Sequence, residues 1–248
     1  MFFQKKFFLP WKIAKLSLFL AQKENEGIQG NRRSICFAFV ASRQNVLVPT
    51  AEWVFIKTRS NKAFRVPQCT ENEAQVLALA AKSACEVWQN VNNRPMLLKK
   101  LAESLENLTE HFAGLFPPDF ENPQNDIQTA VAILNNAKQE SSEESPKILA
   151  FLPAQKTPFA KLAQFLTDYV LNGNVAIIKP AAPFSAAFLA FAELSVAVNF
   201  PSDVLQILLG GDSAILGLAQ TEMDAFVIAD AALKNKIQQQ MEKPCLMI

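Results

Sequence analysis

Lys179 closes a short apolar run, Val175–Ile178, within the stretch Gly-Asn-Val-Ala-Ile-Ile-Lys-Pro-Ala (173–181). The run reads as a buried strand that delivers a lysine and a proline at its carboxyl end. In open α/β sheets ligands bind just outside that end of the strands. An ammonium group on a flexible stem, set there, is a hydrogen-bond donor to whatever enters. A second run, Val204–Leu209, ends in Gly210-Gly211, which the same alternation brings to the same edge. The remaining reactive side chains form no pattern. Cys36, Cys69, Cys85 and Cys245 include no CxxC pair and are expected as free thiols of a reducing cytoplasm. His111 is the single histidine, so there is no material for a histidine-based metal site. It is expected on the polar face of a helix.

These residues need strands and helices to position them, and the composition supplies both. Half of the 248 residues are apolar, enough for a sizeable core. The net charge of +1 hides an asymmetry: residues 1–66 carry 12 Lys/Arg against 3 Asp/Glu, and the remainder 12 against 20. Such a split marks a basic arm or two segments of different origin. The seven glycines are fewer than half of the ~7% average usage, sparse for a domain that wraps a dinucleotide. The amino-terminal Met1–Lys12 mixes bulky apolar residues with lysines. Its clean apolar run is shorter than the ~20 residues of a membrane span, and no cleavage-site pattern follows.

Along the chain, residues 1–68 show only short strand-like runs at Ile35–Val40, Val46–Val48 and Trp53–Ile56. From Glu71 an alanine-rich helix is predicted, with Thr70 as N-cap and Glu73 completing a capping box. A second helix starts near Pro95, its Leu97, Leu98, Leu101, Leu105 and Leu108 at helical spacing. Pro117-Pro118 and Pro123 break the chain before a third helix from Ile127. After Pro146 strands at 148–152, 175–178, 204–209 and 226–228 alternate with helices at 160–171, 184–197 and 215–219. That grammar predicts a Rossmann-like parallel sheet with right-handed crossovers and helices on both faces.

Residues 71–248 resemble the amino-terminal, NAD-binding portion of the aldehyde dehydrogenase superfamily. The likeness rests on Val87-Trp88-Gln89 with Arg94 and Leu97-Leu98, on the acidic, alanine-rich Asp126–Ala137, on Lys179-Pro180-Ala181 and on Val204-Leu-Gln-Ile-Leu. Within the superfamily these residues, with the tail Pro244–Ile248, are most similar to the glutamate-semialdehyde (pyrroline-5-carboxylate) dehydrogenase domain of the bifunctional proline-utilisation protein PutA. The resemblance implies NAD as cofactor and Lys179 as the donor to its adenosine ribose. Pro153, Pro180 and Gly211 are lesser cofactor-binding candidates. It assigns no catalytic residue and no metal ligand.

The chain departs from the family at each station. The ribose-binding glutamate, three residues after the lysine, is Ala182. The Thr-Gly-Ser that receives the pyrophosphate is matched by Ala229, Asp230 and Ala231, which removes the glycine and sets a carboxylate where an anion belongs. The asparagine donor to the oxyanion falls near Gln155 or Lys156, both read as solvated loop residues, in a Pro153–Pro158 loop one residue longer than the family's. The family's general-base glutamate and its nucleophilic cysteine fall after Ile248, and Cys245 sits on a strand expected to be interior. The implied protein is therefore a truncated aldehyde dehydrogenase fragment, inactive alone, with a basic segment at 1–70. The alternative is a non-catalytic module kept for packing or oligomer contacts. Its expected partners are the missing carboxyl-terminal half or a second copy, with neither nucleic acid nor membrane among them.

Overall fold

The computed structural model describes residues 35–38, 46–49, 53–139, 145–229, 231–238 and 245–247. The Met1–Lys12 segment, the end of the Ile35–Val40 run and Asp230 lie outside them. The centre is a five-stranded, wholly parallel sheet of β5 (Ile148–Leu152), β6 (Val175–Ile178), β7 (Leu205–Ile207), β8 (Ala225–Ile228) and β9 (Cys245–Met247). Its order is β7-β6-β5-β8-β9. Every residue of β5, β6 and β8 is buried, as continuous apolar runs covered on both faces require. Two hairpins precede the sheet: β1 (Ile35–Ala38) with β2 (Val46–Pro49), and β3 (Trp53–Lys57) with β4 (Ala63–Pro67). The fourth of these strands was not legible in the sequence. Its Phe64 and Val66 join the main core with Ile56 of β3.

Helix α1 (Glu71–Gln89) begins where the sequence places it. The Glu73 carboxylate accepts from the Thr70 backbone N–H at 2.6 Å and from the Thr70 hydroxyl at 2.9 Å. Helix α2 (Arg94–Asn107) follows, then a separate short helix, α3 (Thr109–Leu115), that the leucine spacing alone did not separate. Pro123 does not break the chain. It opens α4 (Pro123–Asn135), since a proline in the first turn sacrifices an N–H that would have no partner there. His111 of α3 is half-buried rather than on a solvated face. Its ring meets Phe112 edge-on at 6.1 Å, and burial together with Lys62 pushes its pKa down.

Two crossovers join β5 to β6 and β6 to β7. The first is α5 (Pro158–Phe165), continued by a π-helical turn, Leu166–Val170, in which the Leu171 N–H reaches the Leu166 carbonyl. The second is α6 (Ser185–Ala197), entered through a 3-10 turn at Ala182–Phe184. Helices α7 (Asp212–Ala219) and α8 (Ala231–Gln238) make the crossovers to β8 and β9. Helix α1 packs on α7 and across β5 and β6, while α4 packs on α5 and α2. Phe159 is the hub of the aromatic core, with ring centroids 5.3 Å from Phe116, 5.3 Å from Phe188 and 5.6 Å from Phe112.

The α5 segment is held at both ends by side chains of the helical layer. Asp126, in the first turn of α4, accepts from the N–H groups of Phe159 at 2.9 Å and Ala160 at 3.0 Å. Burial pushes the Asp126 carboxyl up from its ordinary value, against these two bonds, which favour its ionised form. At the far end the Trp88 indole N–H donates to the Val170 carbonyl at 2.7 Å, and Arg94 Nη1 to the Leu171 carbonyl at 3.0 Å. The two bonds to Asp126 yield a first prediction. Asp126→Asn keeps one acceptor and turns an amide N–H toward the other donor, so it lowers unfolding stability by about 2 kcal/mol. Urea unfolding checks this: the midpoint falls with an unchanged slope, and an unmoved midpoint removes Asp126 as a clamp.

Candidate functional site at the carboxyl edge of the sheet

The ends of the parallel strands are level. Past the last paired residues, the Leu208 N–H donates to the Ile178 carbonyl at 2.9 Å and the Lys179 N–H to the Phe151 carbonyl at 2.8 Å. The Ala229 N–H donates to the Leu152 carbonyl at 3.1 Å. Pro153, Lys179, Leu208 and Ala229 therefore follow the four strand ends along one edge. The direction of winding reverses between β5 and β8, which opens a crevice there flanked by Pro153 and Ala229. Lys179 is one strand from the crevice and only 9% exposed. Pro153 and Pro180 are buried beside it. Gly210 and Gly211, after β7, share the edge with Lys179, as the sequence pattern required.

The two glycines differ in what they do. Gly210 has φ +128°, and a Cβ on it would lie 2.8 Å from the Cys69 carbonyl oxygen and 2.9 Å from the Cys69 nitrogen. Its missing side chain serves the approach of another backbone segment. Gly211 has an ordinary φ of −91°, caps α7, and its Cβ would meet only the end of the Gln68 side chain at 3.3 Å.

Three helices start at this edge, each with N–H groups suited to an anion. That of α5 is already met by Asp126 from inside the fold. Helix α7 carries Asp212 in its own first turn. Helix α8 starts at Ala231, directly after the Ala229–Ala231 turn, of which Asp230 lies outside the described residues. Ala182 opens the 3-10 turn after Lys179, so no carboxylate stands three residues beyond the lysine. Gln155 and Lys156 are exposed in the loop between β5 and α5. The described residues thus fit a dinucleotide in part: crevice and lysine are present, and two of the three helix ends carry carboxylates.

The thiols contribute no nucleophile at this edge. Cys69 is fully buried behind Gly210, and both it and Cys85 are free. Burial, with Asp224 and Glu86 nearby, pushes the Cys85 thiol up and away from its reactive form. Cys245 lies on β9, which is the edge strand of the sheet among the described residues and not an interior one. Its expected interior place fails because no described strand pairs on its far side. No group of three or more His, Cys, Asp or Glu capable of holding a metal exists among the described residues. No helix among them is long and apolar enough to cross a membrane.

The chain shares its fold with solved aldehyde dehydrogenases. The NAD+ complex of the Bacillus cereus enzyme superposes with a TM-score of 0.70 at 16% identity, over 94% of this chain and 52% of that one. The indole-3-acetaldehyde dehydrogenase of P. syringae, in complex with NAD+ and IAA, gives 0.70 at 18% identity, over 92% and 52%. Betaine aldehyde dehydrogenase of Staphylococcus aureus, with NAD+, gives 0.69 at 14%, over 87% and 49%. The chain therefore spans about half the length of the structures it matches. No protein-family model matches it, and neither does any curated protein.

The contrast between the glycines is testable. Gly210→Ala combines a positive φ with a backbone clash and costs roughly 2–4 kcal/mol of stability, whereas Gly211→Ala stays within about 0.5 kcal/mol. Thermal unfolding of both variants beside the unmodified chain measures the difference, and equal losses would show that Gly210 is not held by Cys69.

Proposed function

We propose that this chain is the NAD-binding portion of an aldehyde-dehydrogenase-type oxidoreductase, and that the 248-residue chain alone does not oxidise aldehydes. The observation that carries the reading is Lys179 at the carboxyl end of β6, beside the crevice between β5 and β8. There its ammonium group can donate to the ribose hydroxyls of a bound dinucleotide. NAD, when bound, supplies a hydride acceptor. In this reading residues 71–248 form the cofactor domain and residues 1–70 a basic accessory segment. Glutamate semialdehyde is the substrate class, and the partner is a separately supplied carboxyl-terminal half or a second copy. The free thiols of Cys69 and Cys85 support a reducing, cytoplasmic setting.

A second reading is favoured by one observation: the α5 amino terminus is filled by Asp126. A domain whose anion sites are taken by its own carboxylates can persist as a non-catalytic module for packing or oligomer contacts. Calorimetric titration with NAD separates the two. On the first reading Lys179→Met weakens binding about tenfold, and Asp230→Gly with Ala231→Ser strengthens it about thirtyfold by removing a like charge and adding a hydroxyl donor. A folded chain with no NAD heat in any variant leaves only the structural module.

The activity prediction follows from the loop after β5. With Gln155 and Lys156 exposed, no amide is set to receive an oxyanion, and losing one such donor costs about 10²–10³ in rate. Purified alone, the chain gives no NADH from glutamate semialdehyde. Production of NADH that Cys85→Ala or Cys245→Ala abolishes would reassign the nucleophile.

A further inference from the structure

The opposite edge of the sheet carries an arrangement that the dinucleotide reading does not use. Between α6 and β7 the chain turns through Pro201–Val204, with Asp203 in the left-handed region at φ +68°. Gln206 of β7 is wholly buried, and its amide Nε2 donates to the Asp203 backbone carbonyl at 2.9 Å. That bond fixes which end of the amide is nitrogen and leaves Oε1 beside the same turn. Gln206 Oε1 is buried and accepts from no donor, and the same holds for Asp203 Oδ1. Two buried oxygens, one of them a carboxylate's, therefore share one turn without a hydrogen or a positive charge between them.

A buried acceptor left unmatched costs about 1–3 kcal/mol, and a carboxylate more. No basic side chain offsets Asp203, because burial alone is what shifts its carboxyl, upward. Neither oxygen can satisfy the other, since both are acceptors. A bound cation resolves both deficits at once. Oxygen-only ligands select a hard ion rather than a transition metal. A single carboxylate balances one positive charge, which suits a monovalent ion better than a divalent one.

We infer that the Asp203 turn at the amino end of β7 binds a monovalent cation of the sodium or potassium kind, held by Asp203 Oδ1 and Gln206 Oε1. The site is structural. It ties the turn to the edge strand β7 at the end of the sheet remote from Lys179, so it stands or falls independently of any dinucleotide. Asp203, half-buried, leaves room for water to complete the ion's shell on the outer side.

The test is thermal unfolding of the full chain in KCl, NaCl and choline chloride at equal ionic strength near neutral pH. Choline is too large for the site and controls for screening. Raising KCl or NaCl from about 1 to about 100 mM lifts the midpoint saturably, by roughly 3 °C over choline. Asp203→Gly keeps the left-handed backbone and removes the carboxylate, so its midpoint is the same in all three salts. Equal midpoints for the unmodified chain in the three salts overturn the proposal, and so does an undiminished response in Asp203→Gly. Should that variant fail to fold, sodium NMR line broadening by the unmodified chain, relieved by added KCl, decides the matter; an absence of broadening overturns the site.

Discussion

The segment Pro158–Val170 is the part on which the rest of the molecule depends. It lies on the sheet, where Phe165 stacks on Phe151 of β5 at 4.3 Å, and its two ends are covered by the outer helices. A helix end buried away from water leaves N–H groups at one side and carbonyls at the other that must find partners inside the protein. Here the partners come from three helices. Asp126 of α4 receives the N–H groups, Trp88 of α1 and Arg94 of α2 reach the carbonyls, and Arg94 lies over the Trp88 ring at 5.6 Å. The outer layer is thereby locked to the sheet by polar contacts of fixed direction, where apolar packing alone would allow sliding. Because this segment is the crossover from β5 to β6, its position also sets where Lys179 emerges.

The same economy shapes the carboxyl edge. The carboxylate that completes the clamp occupies the α5 amino terminus, a place where a fold of this kind could otherwise receive a phosphate. Gly210 is spent on the approach of Cys69, and Asp212 answers the dipole of α7. The likeness to aldehyde dehydrogenases is thus one of architecture, with the sheet and its crevice retained while several groups at the edge serve the chain's own stability. Lys179 is the exception at that edge: a buried cation at a strand end, in a position that packing by itself does not require.

Much of this was legible in the residues. The runs 148–152 and 175–178 are strands with those bounds, and the capping box at Thr70 and Glu73 starts α1 as its spacing indicates, because these signals are local and agree with the packing. The Trp88 and Arg94 pair was recognisable as a signature, but its work on the carbonyls of Val170 and Leu171, some 80 residues away, was not. Asp126 looked like an ordinary acidic residue of a helix start. Pro123 read as a breaker because its two roles, stopping one helix and opening another, look alike without the neighbouring turn. The hairpin strand Ala63–Pro67 escaped notice since its partner, not its composition, makes it a strand.

The sequence by itself determined the class of fold, the alternation of strands and helices, and the delivery of a lysine to a strand end, since periodicity and capping act within a few residues. It also determined what the edge lacks, because Ala182, Asp230 and Ala231 are plain to read. The tertiary structure alone decided which groups are already taken. Whether a helix end is open to an anion or filled by Asp126, whether a glycine serves a ligand or a neighbouring strand, and whether Asp203 and Gln206 find donors depend on contacts between residues far apart in the chain. Burial turns those contacts into requirements, since a polar group removed from water must be matched by whatever the fold brings beside it.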